Sequence, residues 1–122
     1  MKILIVEDEK AIQTILKTYL EEAGYDITLV NDGLEGISLF QSEGFDLVLL
    51  DIMMPKIDGY AVLELIRKTH SVPAIMITAM DNDIDQMKAF DLKVDDYITK
   101  PFNMELVLKR IDAVLRRSQS GI

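Results

Sequence analysis

The chain has 122 residues, 49% of them hydrophobic and 28% charged, the make-up of one soluble globular domain rather than a disordered, collagenous or coiled-coil chain. Its net charge of −8 disfavours direct nucleic-acid binding, which rests on clustered positive charge. The absence of cysteine excludes disulfides, thiolate metal sites and Cys nucleophiles, and no apolar run is long enough to cross a bilayer.

In chain order, the first apolar run, Ile3 to Val6, reads as a strand that begins almost at the N-terminus, with no signal-peptide pattern before it, so a cytoplasmic protein is expected. Ile12, Ile15, Leu16, Tyr19 and Leu20 then recur at helical spacing until Gly24 ends the helix. A second strand, Ile27 to Val30, precedes a helix marked by Leu34, Ile37 and Phe40. The third strand is Leu47 to Leu50, and its helix carries Val62, Leu63, Leu65 and Ile66. A fourth strand, Ala74 to Ile77, leads to a shorter helix through Ile84, Met87 and Phe90. The last pair is a weak strand at Tyr97-Ile98 and a helix with Val107, Ile111, Val114 and Leu115, for which Asn103 is the expected N-cap.

Strands that are continuously apolar and alternate with helices imply a parallel sheet covered on both faces. The expected fold is therefore an α/β doubly wound (βα)5 domain of five parallel strands in order 2-1-3-4-5. Residues 1–117 are expected to form this domain, with 118–122 the start of a linker or a frayed tail. The acidity belongs to the body of the chain: residues 1–102 carry nine basic and nineteen acidic groups.

Ligands of open α/β sheets bind beyond the carboxyl ends of the strands, and here those ends hold a coherent set of groups. Strand 1 runs into Glu7-Asp8-Glu9, strand 3 into Asp51, strand 4 into Thr78 and strand 5 into Lys100-Pro101. Strands 1 and 3 are neighbours in the expected order, so Glu7, Asp8 and Asp51 should converge. Three converging carboxylates require a raised pKa or a cation, and an all-oxygen donor set suits Mg2+. Lys100 adds a positive charge and Thr78 a hydroxyl, both able to hold anionic oxygens. Taken singly, each residue has an ordinary reading as a cap or a surface side chain; their concentration at one sheet edge is what points to a site. The single His70 offers no triad or histidine metal cluster, and no G-x-x-x-x-G-K-[ST] loop exists for a nucleotide.

With Ile3-Leu4-Ile5-Val6-Glu7-Asp8-Glu9, Asp46 to Pro55 followed by Asp58-Gly59, Ile77-Thr78-Ala79 and Asp95 to Phe102, the chain resembles the receiver domain of bacterial two-component response regulators. The last block and the ending Arg110-Ile111 and Leu115-Arg116-Arg117 further resemble the OmpR/PhoB subgroup, whose receivers precede a winged-helix DNA-binding domain. The resemblance implies that Asp51 takes a phosphoryl group from a sensor histidine kinase. It implies that Asp8 binds Mg2+ directly and Glu7 through water, with Asp51 and the backbone carbonyl of Met53 completing the protein's share. Thr78 and Lys100 would bond the phosphoryl oxygens, Lys100-Pro101 would be cis, and Tyr97 would move inward as Thr78 shifts. The domain would catalyse only its own phosphorylation and a slow dephosphorylation, slow because Met53 and Met80 stand where side chains orient or block the attacking water.

The same resemblance implies a homodimer on phosphorylation, formed by a face containing Met87, Phe90, Asp95, Asp96, Leu108, Arg110 and Arg117. Transcription would be controlled through a DNA-binding domain outside this chain; a stand-alone receiver acting by protein contact is the alternative. A Mg2+-dependent phosphoaspartate hydrolase is less well supported, since the haloacid-dehalogenase type carries its nucleophile after the first strand and needs a cap. Two departures from the pattern stand out. Lys93-Val94 replaces the usual Gly-Ala, and Gln86 and Leu106 occupy the positions of a cross-dimer ion pair.

Overall fold

The computed structural model describes residues 1–79 and 81–119. Five parallel strands, β1 (Lys2–Val6), β2 (Asp26–Val30), β3 (Leu47–Asp51), β4 (Ala74–Thr78) and β5 (Asp96–Thr99), form one sheet in the order β2-β1-β3-β4-β5. The helices between and after them are α1 (Lys10–Glu22), α2 (Gly33–Ser42), α3 (Gly59–Arg67), α4 (Gln86–Asp91) and α5 (Met104–Gln119), with a short 3-10 turn at Asp81–Asp83. The expected α/β doubly wound fold and strand order are thus the observed ones. Among the described residues no helix is long and apolar enough to cross a membrane.

Successive side chains of a strand point to opposite faces, so each apolar run feeds two cores. Ile3, Ile5, Leu47, Leu49, Ile75 and Ile77 pack with Leu16 and Leu20 of α1 and Val107, Ile111, Val114 and Leu115 of α5. Leu4, Val6, Val48, Leu50 and Met76 face the other way, onto Phe40 of α2 and Tyr60, Val62, Leu63 and Ile66 of α3. This double burial explains why the strands read as unbroken hydrophobic runs.

The helix boundaries follow caps more than apolar spacing. Gly24 closes α1 as expected, at φ +97°, with its amide on the Glu21 carbonyl and that of Tyr25 on the Leu20 carbonyl. Asn103 caps α5, its side chain accepting from the Glu105 amide at 2.8 Å. The fourth helix begins at Gln86 rather than at Ile84, because Asp85 caps it by accepting from the Lys88 amide at 3.1 Å. α5 includes Ser118 and Gln119, two residues expected in the tail, and residues 120–122 lie outside those described.

Several expected stripe residues turn outward. In α1 the buried positions are Gln13, Leu16 and Leu20, while Ile15 and Tyr19 are exposed; Leu34 and Leu65 are exposed in α2 and α3. Met87 and Phe90 are 78% and 84% exposed, and α4 buries none of its residues. Lys93 adopts φ +58° in the place where the resemblance expects a glycine, and Lys56 adopts φ +73° in the β3–α3 loop. Left-handed backbone at a residue with a Cβ costs about 1–2 kcal/mol.

Candidate functional site

Parallel pairing sets the depth of every site residue. Val6 of β1 lies level with Leu50 of β3, so the next residues, Glu7 and Asp51, emerge side by side at the carboxyl edge. Asp51 pairs with Ile77 of β4, which puts Thr78 one step beyond it, and Thr78 pairs with Thr99, which delivers Lys100 at the mouth. The Lys100 amide donates to the Thr78 carbonyl at 2.7 Å, and the Lys100–Pro101 peptide is cis.

Lys100 is the hub. Its Nζ lies 3.0 Å from Asp51 Oδ2, 3.3 Å from Glu7 Oε1 and 3.0 Å from Glu9 Oε1. Glu7 is wholly buried and Asp51 nearly so, whereas Asp8 is exposed. One carboxylate oxygen from each of Glu7, Asp8 and Asp51 can be chosen so that all three lie within 4.8 Å of one another. The Met53 amide donates to Asp51 Oδ1 at 3.1 Å, which brings that stretch of backbone to the site although the Met53 side chain is 63% exposed.

The electrostatics of this cluster are unbalanced. Burial, then the hydrogen bond that only the protonated form can donate to Asp51, and the Asp51 negative charge, push the Glu7 carboxyl from 4.5 up to about 8, against the pull of Lys100 and the Glu9 amide. Burial pulls the Lys100 ammonium down, but its bonds to Asp51 and Glu9 and the charges of Glu7 and Asp51 outweigh that and hold it above its ordinary value. Glu7 Oε2 is buried with no hydrogen-bond partner among the described residues. A buried, unpartnered carboxylate oxygen beside two further carboxylates is the signature of a group that holds either a proton or a hard cation, and this donor set fits a divalent ion with oxygen ligands.

Other residues expected at the site are placed around it. Thr78 is buried, and its hydroxyl faces Asp83 Oδ2 at 3.4 Å. The Tyr97 hydroxyl lies 2.6 Å from that of Tyr60, and burial followed by this bond raises its pKa. His70 is exposed, edge-on to Phe40 and outside the carboxylate cluster. Met80 lies outside the described residues. On the face formed by α4, β5 and α5, Asp96 and Arg110 pair within the chain at 2.8 Å, and Asp95 accepts from the Ala74 amide at 2.8 Å. Leu108 is half-buried against the core, whereas Leu106 is 51% exposed.

Sequence reasoning missed three supports. Glu9 shares Lys100. Gln13 Nε2 donates to the Glu7 carbonyl at 2.5 Å and to Asn31 Oδ1 at 2.9 Å; an amide on the apolar stripe of α1 was the available signal. Gly59 lets the chain turn back under the site, since a Cβ there would stand 2.4 Å from the Asp51 carbonyl oxygen.

Comparison with known proteins bears on what this arrangement is. The family model described as response regulator receiver domain matches residues 3–112. The chain is 48% identical over 120 residues to the probable transcriptional regulator ycf27 of Guillardia theta, covering 98% of this chain and 47% of that protein. It is 44% identical over 117 residues to the uncharacterized transcriptional regulatory protein YclJ of Bacillus subtilis, covering 96% and 52%. The chain therefore spans about half the length of these relatives. Among solved structures, the receiver domain of the Francisella response regulator 1452 superposes with a TM-score of 0.87 at 33% identity, covering 97% of this chain and 98% of that one. The BeF3-activated N-terminal receiver domain of Klebsiella pneumoniae RstA gives 0.86 at 30%, covering 95% and 99%.

Proposed function

This chain belongs to the response regulator receiver family, in the OmpR/PhoB type that its relatives represent, and on that premise we propose that Asp51 is its phosphoacceptor, charged by the phosphohistidine of a sensor kinase. The observation that carries this reading is the buried Asp51 carboxylate held at 3.0 Å by Lys100 beside Glu7 and Asp8. Phosphoryl transfer asks a protein for positioning and charge neutralisation rather than for covalent chemistry of its own.

Asp8, Asp51 and the Met53 carbonyl are the residues that would hold Mg2+, with Glu7 acting through water. The ion supplies neutralising charge for the oxygens of the transferring group. Asp51 presents one oxygen in line with the phosphorus; the phosphorus–oxygen bond forms as the phosphorus–nitrogen bond breaks, and the donor imidazole leaves with the electron pair. Lys100 exchanges its bond to the Asp51 carboxylate for one to a phosphoryl oxygen, and the Thr78 hydroxyl turns from Asp83 to another. The apolar Met53 side chain beside the acyl phosphate orients no water, which favours a long-lived product.

Phosphorylation adds charge and acceptor oxygens that bias Thr78 and Tyr97, and the signal emerges on α4, β5 and α5. We assign that face to a homodimer, with Met87 and Phe90 in its apolar centre and Asp96, Arg110 and Arg117 at its rim. The exposed Leu106 stands in that centre in place of the expected Leu108, which is half-buried against the core, and the Asp95 carboxylate is engaged by the Ala74 amide. The receiver runs to the end of α5 at Gln119 rather than to the expected residue 117, and the whole protein is a cytoplasmic transcription regulator that reaches DNA through a second domain. The relatives' names and their double length support this last step over a stand-alone receiver. Intact-mass measurement with acetyl phosphate tests the assignment: one phosphoryl group is expected on the wild type with Mg2+, and none on Asp51→Asn or in EDTA. Unchanged labelling of Asp51→Asn overturns it.

A further inference from the structure

α4 buries none of its six residues, and its apolar anchors flank it, Ile84 before and Leu92 after, both half-buried against the core of α2 and α3. Polar attachments add to these, and two of them come from the same neighbour. At its start, the Asp85 amide donates to the Tyr60 hydroxyl at 2.9 Å, and the Lys88 ammonium lies 5.9 Å above the Tyr60 ring. At its end, Arg67 Nε donates to the Leu92 carbonyl at 2.7 Å and a terminal guanidinium nitrogen to that of Lys93 at 3.4 Å. Tyr60 and Arg67 both belong to α3, seven residues apart and thus on one face. Seven residues of helix rise about 10 Å and the six of α4 about 9 Å, so the two grips match the length of what they hold.

The first grip is shared. The same Tyr60 hydroxyl that accepts from Asp85 lies 2.6 Å from the Tyr97 hydroxyl, and Tyr60 itself is buried. We propose that Tyr60 is a positioning residue that couples the place of Tyr97 on β5 to the start of α4, while Arg67 fixes the far end as a pivot. Withdrawal of Tyr97 removes one of the two partners that orient the Tyr60 hydroxyl and so weakens its hold on Asp85. Movement of α4 pulls on Tyr97 in return, since coupling between two sites is reciprocal. Its use in signalling rests on the reading of Tyr97 as the mobile aromatic; the coupling itself does not.

A double-mutant cycle on the whole 122-residue chain, read by amide hydrogen exchange, tests the coupling. Tyr60→Phe keeps the buried ring and is expected to raise exchange at Asp85, Lys88 and Ala89 roughly three- to tenfold, the change that one net hydrogen bond makes. Tyr97→Phe is expected to raise exchange at the same three amides, and to add nothing in the Tyr60→Phe background. Tyr25→Phe, at the other edge of the sheet, should leave them unchanged. If Tyr97→Phe leaves these amides at wild-type rates, or if the two effects simply add, Tyr60 only packs and caps and the coupling is refuted. The cycle needs no phosphoryl group, so its outcome is separate from the assignment of Asp51.

Discussion

Glu7→Gln isolates the cost of a buried carboxyl kept beside Asp8 and Asp51, in the cluster proposed to hold Mg2+. Without a cation, burial and then the bond to Asp51 and its charge raise Glu7 from 4.5 to about 8. A raised carboxyl pKa means that the folded chain binds this proton more tightly than the unfolded chain. The group's contribution to stability is full below about pH 4.5 and is lost as pH rises through about 8. Each pKa unit is worth about 1.4 kcal/mol, so across about two pH units inside this window the wild type loses roughly 3 kcal/mol through Glu7. Glu7→Gln keeps the shape and leaves nothing to ionise. Urea unfolding in EDTA at about pH 5.5 and about pH 7.5 should therefore show the variant's stability advantage growing by roughly 3 kcal/mol, with similar urea slopes for both proteins. Titrating groups distant from Glu7 cancel in the difference. Near neutral pH, Mg2+ should release a proton from the wild type and none from Glu7→Gln, which calorimetry in buffers of different ionisation enthalpy can count. Parallel stability curves for the two proteins would refute the reasoning.

Gly59→Ala sets a Cβ 2.4 Å from the Asp51 carbonyl oxygen, and an expected loss of about 1–3 kcal/mol in urea unfolding should come with slower phosphorylation by acetyl phosphate. Lys93→Gly relieves the φ +58° backbone, and after the added freedom of the unfolded chain a gain of about 0.5–1 kcal/mol is expected as a higher Tm, with phosphorylation unchanged. Sedimentation with beryllofluoride should show a dimer of the wild type that Leu106→Glu and Arg110→Glu both weaken. An exposed ion pair is worth about 0.2–1 kcal/mol, so Leu106→Glu should have the larger effect.

What could be read from the sequence was whatever depends on strand order alone. Once β1 and β3 are neighbours, Glu7, Asp8 and Asp51 must meet, and Thr78 and Lys100 follow from one-residue offsets in the register. Sequence could not show which apolar residues of a helix face the sheet, because polar contacts compete for the same positions. Gln13 holds the Glu7 carbonyl where apolar spacing gave no reason for an amide, and Ile15 and Tyr19 are turned outward on the same helix. The start of α4 was misjudged because Asp85 caps it one residue after Ile84, and a cap decides a boundary that an apolar spacing only suggests. Nor could spacing reveal Tyr60, whose partners Asp85 and Tyr97 lie far along the chain.

The central claim is that a single carboxylate, Asp51, becomes an acyl phosphate. Borohydride reduces an acyl phosphate to an alcohol, so treating the phosphorylated chain and mapping its peptides reads out the modified residue. Homoserine in place of Asp51, formed with Mg2+ and lost in EDTA, is the expected result; reduction at Asp8, Asp58 or any other carboxylate, with Asp51 intact, would contradict the account.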